Sequence, residues 1–254
     1  MKAFCRVTLL CVCFSFVAVY SVDAQLILGI DFSAAQGYKD GPLVGQPAGA
    51  ATKWIDGNPG DPADTFAVSN GAMVITPIGG ANKWAYITFP VQSKGTLIVS
   101  WDWQYVGPED SNVDIGFNVS DTENFGFDGN PALNWPEQGA MCRMQQDSNV
   151  IDVRNGNWEG GGSYQALQEF SYTDGKLVSM RYEINLDEQT YDCYAQKEGE
   201  TEILLADGFG FRREMIAGLD SLTMWDDGTA ATSSVIVDNI VVAGPASVGN
   251  WELH

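Results

Sequence analysis

Histidine is almost missing from this 254-residue chain: the single copy is His254, the last residue. Without an internal imidazole, Ser-His-Asp and Cys-His catalysis and histidine-ligated zinc have no residue to use. Basic residues are scarce as well, 13 Lys+Arg against 33 Asp+Glu, for a formal net charge of -20. A chain this acidic repels polyphosphate, which excludes nucleic acid and an anionic membrane surface as partners. Beyond the first two dozen residues no stretch is apolar enough to cross a bilayer. Helical periodicity is nearly absent too; the best candidate is 212–218, at most two turns ending in Gly218.

What is present begins with an address. Lys2 and Arg6 precede an uncharged run over 7–22, and Val22-Asp23-Ala24 places small residues where a signal peptidase reads. Residues 1–24 are expected to be a signal peptide cut before Gln25, sending the protein out of the cell or to its surface. The run is short for a span, so no membrane insertion is expected. Cys5, Cys11 and Cys13 leave with the leader, and only Cys142 and Cys193 remain. In an oxidising compartment, two cysteines on strand-like segments are expected to form a disulfide; the alternative is a pair of buried thiols.

The dominant period in the mature chain is two. Leu97, Val99, Trp101, Trp103 and Tyr105 are apolar or aromatic, while Ser100, Asp102 and Gln104 between them are polar. The same alternation runs through Val113, Ile115, Phe117 and Val119, and through Val178, Met180, Tyr182 and Ile184. Residues 186–189 then supply a turn into a strand over 190–196, a hairpin signal. The β-branched run 235–242 suits a central strand. Further strands are expected at 26–32, 72–76, 84–89, 140–146, 150–154 and 202–206. With 28 glycines and ten prolines as punctuation, this predicts one all-β domain over 25–243: two antiparallel sheets packed as a β-sandwich or jelly roll. Gly244-Pro245-Ala246-Ser247 reads as a linker opening a tail over 244–254.

Asp31-Phe32, Gly37-Tyr38, Gly41-Pro42-Leu43, Gly45-Gln46 and Trp54 resemble the opening strand and loop of secreted bacterial concanavalin A-like (laminin-G-like) jelly rolls. The closing Val237-Asp238-Asn239-Ile240-Val241-Val242 is similar to the final strand of the same superfamily. The resemblance implies the fold more than an activity, since members include lectin-like binding domains, glucanases and polysaccharide lyases. It also implies calcium: in related jelly rolls a structural ion joins the first strand to the last, which makes Asp31 and Asp238 the metal candidates. Asn239 could contribute only if a bulge turned it. The alternative is that both aspartates cap strand ends.

The glucanase motif E-x-D-x-x-E is missing, and without histidine the lyase reading loses its usual base or charge neutraliser. The acidic groupings Glu109-Asp110 with Asp114, Asp187-Glu188, Glu198 with Glu200 and Glu202, and Asp226-Asp227 read as solvated turns or edges. Sugar binding calls for aromatic rings bordered by carboxylates, amides and guanidinium groups. Trp135 and Trp158 lie in loop-like stretches, where an exposed indole needs a reason, and Tyr164 is a further aromatic candidate. Trp101 and Trp103 have core parity. Arg143 with Gln145, Asp152 with Arg154, Arg181 with Glu183, and Asp192 with Tyr194 would line one polar groove if their strands adjoin in one sheet; otherwise they are cross-strand ion pairs. Arg143, Arg181 and Asp192 are the ligand-binding candidates among them. These features predict a secreted, non-catalytic carbohydrate-binding or adhesion module with a polysaccharide or glycoconjugate partner. The competing readings are a polysaccharide-active hydrolase or lyase and a structural cell-surface domain without a ligand.

Overall fold

The computed structural model describes residues 24–57, 65–79, 83–108, 113–125, 138–145, 148–156, 162–173, 175–228 and 232–245. Residues 1–23 of the expected signal peptide, Glu109-Asp110, Trp135, Trp158 and the tail beyond Pro245 lie outside the described residues. One sheet contains nine strands: β1 (Ala24–Ile30), β2 (Gly41–Pro42), β4 (Phe66–Ser69), β5 (Ala72–Ile75), β7 (Thr96–Val106), β12 (Leu177–Asn185), β13 (Thr190–Lys197), β14 (Ile203–Gly210) and β16 (Ser234–Pro245). Their order is β14-β13-β12-β7-β16-β5-β4-β2, with β1 also paired to β16. The second sheet has seven: β3 (Ile55–Asp56), β6 (Lys83–Gln92), β8 (Ile115–Ser120), β9 (Gln138–Met144), β10 (Ile151–Asn155), β11 (Ser163–Gln165) and β15 (Leu219–Asp226), in the order β11-β10-β9-β8-β15-β6-β3. Every pairing between these strands is antiparallel.

The alternation read from sequence becomes the core. Leu97, Val99, Trp101, Trp103 and Tyr105 on β7 are all buried, as are Ile115, Phe117 and Val119 on β8. Across the sandwich the Trp101 indole stacks on the Phe117 ring at 3.9 Å between centroids and 3° between planes. A phenol buried this deeply must still place its hydroxyl proton. Tyr182 donates to the Phe117 carbonyl at 2.9 Å and Tyr191 to the Met141 carbonyl at 2.9 Å, so two hydrogen bonds tie β12 and β13 to the opposite sheet. Burial holds both phenols well above the ordinary tyrosine range.

Three expectations are corrected. The Cys142–Cys193 disulfide is not formed: both cysteines are free and fully buried, on β9 of one sheet and β13 of the other, where they pack as small apolar side chains. Burial keeps the Cys193 thiol protonated. Residues 212–218 are not helical. They bridge β14 to β15, and the Ile216, Ala217 and Gly218 N–H groups all donate to the buried Asp121 Oδ2, at 2.6, 2.9 and 3.3 Å. That carboxylate supplies the acceptors that a helix would have taken from its own backbone. Finally, Gly244 and Pro245 are not linker: β16 runs through them, and they pair with Gln25 and Ala24 of β1.

Candidate functional site

The outward face of the seven-stranded sheet carries a polar row with an aromatic end. Asp152 on β10 faces Arg143 on β9, Arg143 faces Gly116 on β8, Gly116 faces Trp225 on β15, and Trp225 faces Trp84 on β6. Gly116 decides the geometry of this row. A Cβ there would lie 1.9 Å from the Trp225 Nε1, so the missing side chain lets the indole lie flat across β8 towards Arg143. Trp225 Nε1 donates to Asn118 Oδ1 at 3.2 Å, which fixes the ring.

Arg143 is gripped from two directions. Its Nε donates to Asp152 Oδ1 at 2.9 Å and its Nη2 to Asp152 Oδ2 at 3.3 Å, while Nη1 reaches Asp114 Oδ2 at 3.2 Å. This forked arrangement leaves the guanidinium little rotational freedom. Burial opposes its charge, but the bond to Asp152 and the charges of Asp114 and Asp152 outweigh burial and hold its pKa above the usual arginine value. Its Cζ lies 3.8 Å from the centroid of the Tyr164 ring, and Arg154 stands at 5.2 Å from the same ring. Tyr164 is pushed up to about 12 by burial, against the pull of Arg212, Arg143 and Arg154. Its hydroxyl lies 3.4 Å from the Met141 sulfur.

Asp114, just before β8, and Asp227, just after β15, are joined where the Asp227 N–H donates to the Asp114 carbonyl at 2.9 Å. Arg212 arrives from the β14–β15 connection, its backbone N–H on the Gly139 carbonyl at 3.2 Å. Together Asp114, Arg143, Tyr164, Arg212, Trp225 and Asp227 line a cleft of about 200 Å³. Behind it Asp226 is pushed up to about 7, first by burial and further by the charges of Asp227 and Asp114, against a hydrogen bond from the Gly228 N–H. Burial also raises Asp227, despite the nearby Arg143.

Of the residues expected from sequence to bind ligand, Arg143 and Tyr164 meet in this cleft. Arg181 and Asp192 do not. They sit on the outward face of the nine-stranded sheet, on the other side of the molecule, because β12 and β13 belong to that sheet. There Arg181 stacks on Tyr194 at 3.9 Å and pairs with Glu183 and with Glu202, the latter at 2.7 Å. Asp192 accepts the Gly208 N–H at 2.7 Å. Asp114, Arg212, Trp225 and Asp227 are absent from the sequence-based expectation. Asp114 and Asp227 fall in acidic groupings read as solvated turns, and Trp225 lies on a strand that no alternation announces.

The metal candidates are close together without forming a full donor set. Asp31 follows β1, and Asp238 sits at the bulge of β16 where Asn239 takes φ 52°. Asp31 Oδ1 accepts the Ser33 N–H at 2.9 Å, and Asp238 Oδ1 accepts the Asn239 N–H at 2.8 Å. The bulge does turn Asn239, but its amide nitrogen donates to Asp102 Oδ2 at 2.8 Å. Among the described residues no group of three or more His, Cys, Asp or Glu side chains is placed to hold an ion.

The two-sheet fold is similar to that of solved lectins and of a carbohydrate recognition domain. Lectin UEA-II, solved in complex with galactose, superposes with a TM-score of 0.53 at 8% identity, over 87% of this chain and 98% of that one. The Emp47p carbohydrate recognition domain gives 0.52 at 11% identity, over 89% and 99%. Lectin II from Ulex europaeus gives 0.50 at 6% identity, over 86% and 98%. The chain has the concanavalin A-like jelly-roll fold. No protein-family model and no curated protein matches the sequence. At these identities the concanavalin A-like likeness is one of fold, and the function rests on the site.

Proposed function

We propose that this chain is a secreted, non-catalytic carbohydrate-binding or adhesion module of laminin-G-like type, holding a glycan unit in the cleft over the seven-stranded sheet. The observation that carries the reading is the convergence there of Arg143, Arg212, Asp114 and Asp227 beside the Tyr164 and Trp225 rings. Guanidinium groups donate to sugar hydroxyls, carboxylates accept from them, and ring edges meet the C–H surface. The non-catalytic part rests on the missing E-x-D-x-x-E motif and on the lack of an internal histidine. Secretion rests on the leader-like opening residues.

A glycan array on the purified chain tests the reading. Wild type is expected to bind a defined set of glycans and Arg212→Ala to lose that signal while keeping its circular dichroism. A wild type that binds nothing overturns the proposal in favour of a structural domain. Release of reducing ends or unsaturated uronates from a polysaccharide panel overturns the non-catalytic part.

Calcium between Asp31 and Asp238 is a separate proposal, supported by the place of Asp31 directly after the first strand and of Asp238 on the last. Its competitor is the pair of capping hydrogen bonds that each aspartate makes. A chelator that lowers the melting midpoint supports the ion, because a ligand bound only to the folded state stabilises it. An unchanged midpoint leaves the caps as the full account.

A further inference from the structure

Resting on the glycan-binding reading, we infer that the cleft takes an uncharged sugar and discriminates against sugars that carry a carboxylate or sulfate. Asp114 and Asp227 line its polar side, and Asp152 holds Arg143 from beside it. Asp152 occupies Nε and Nη2 of Arg143, Asp114 occupies Nη1, and Asp227 shares the rim. Arg143 is therefore charge-matched before any ligand arrives, and its positive charge is already committed. Arg212 is the other guanidinium in the lining, set against Asp114 and Asp227 in the same small space.

An arriving carboxylate would place a further negative charge within a few ångströms of these groups, in a partly desolvated cleft where like-charge repulsion is strong. The surrounding field points the same way. Asp226, beneath the cleft, feels the negative charges of Asp227 and Asp114. The chain as a whole carries a formal charge of -20, which slows the approach of any polyanion. Hydroxyl groups meet no such barrier, because each can accept from a guanidinium and donate to a carboxylate at once. The volume, about 200 Å³, equals on the order of seven waters at ~30 Å³ each, which suits one sugar ring.

The test compares isosteric pairs: methyl glucoside and methyl galactoside against methyl glucuronide and methyl galacturonide, titrated calorimetrically into the intact protein. The neutral member is expected to bind about tenfold or more tightly than its uronate, with little change in its own affinity between low and high salt. Asp227→Asn is expected to narrow the gap by strengthening uronate binding. A wild-type preference for the uronates overturns this inference and leaves the glycan-binding reading standing. Absence of binding to every member of both sets, and to the neutral and acidic glycans of an array, overturns both.

Discussion

Asp226 shows how one buried carboxyl makes the molecule pH-sensitive. At 2% exposure, and facing Lys83 across β6, it is held protonated up to about pH 7. Below about pH 4 both the folded and the unfolded chain keep the proton, and nothing is lost. Between there and pH 7 the unfolded chain releases it while the folded chain retains it, so stability falls as pH rises, and the full penalty stands above pH 7. Its size is on the order of a few kcal/mol. The melting temperature is therefore expected to fall as pH is raised from 5 to 8, and Asp226→Asn to flatten that slope in a thermal-melt series. An equally steep slope in the variant would remove Asp226 as the cause. Gly116 is a second residue with a decisive role. Gly116→Ala puts a methyl group into the Trp225 indole and should cost about 1–3 kcal/mol, with a changed near-ultraviolet dichroism as the ring is displaced.

At the scale of elements, the connection between β14 and β15 is held by side chains from other parts of the chain. Asp121 Oδ2 accepts three consecutive N–H groups, and Asn124 Nδ2 adds a bond to the Glu214 carbonyl at 3.1 Å. Because Arg212 rides on this connection, the anchor also positions one wall of the cleft. Asp121→Ala should leave buried amides unpaired at about 1–3 kcal/mol apiece. Faster amide exchange confined to Ile216, Ala217 and Gly218 is the expected signature; unchanged protection there would show that the anchor is dispensable. The same region marks where element reading failed. Arg-Arg-Glu-Met-Ile-Ala-Gly has helix-forming composition, but its N–H partner is a carboxylate about a hundred residues away in sequence. β15 went unread for a related reason. It lies between β6 and β8, with its inward face in the core and its outward Trp225 and Thr223 buried as well, so no polar alternation marks it. Strands with one wet face, such as β7 and β12, were legible from their first few residues.

At the scale of the whole fold, apolar layering holds the sheets together, and among the described residues no disulfide joins them. Cys142 and Cys193 are expected to react with a thiol reagent only after unfolding, and then both together. Fewer than two equivalents on unfolding without reductant would point to oxidation. Both cysteines lie within the packed interior, so native protection should track global unfolding.

The candidate site divides along the same line. Arg143 and Tyr164 could be picked out from residue type alone, whereas Asp114, Arg212, Trp225 and Asp227 could not, since they come from the start of β8, the β14–β15 connection and the end of β15. Period-two alternation, turn chemistry and the scarcity of helix formers determined the two-sheet architecture and the parity of its core, because burial acts on every second residue of a strand whatever its neighbours are. Which strands lie side by side is a long-range outcome that no local period encodes. Tertiary structure alone put Arg181 and Asp192 on one outer face and Arg143 on the other, brought two distant aspartates to one guanidinium, and emptied the space over Gly116 for an indole.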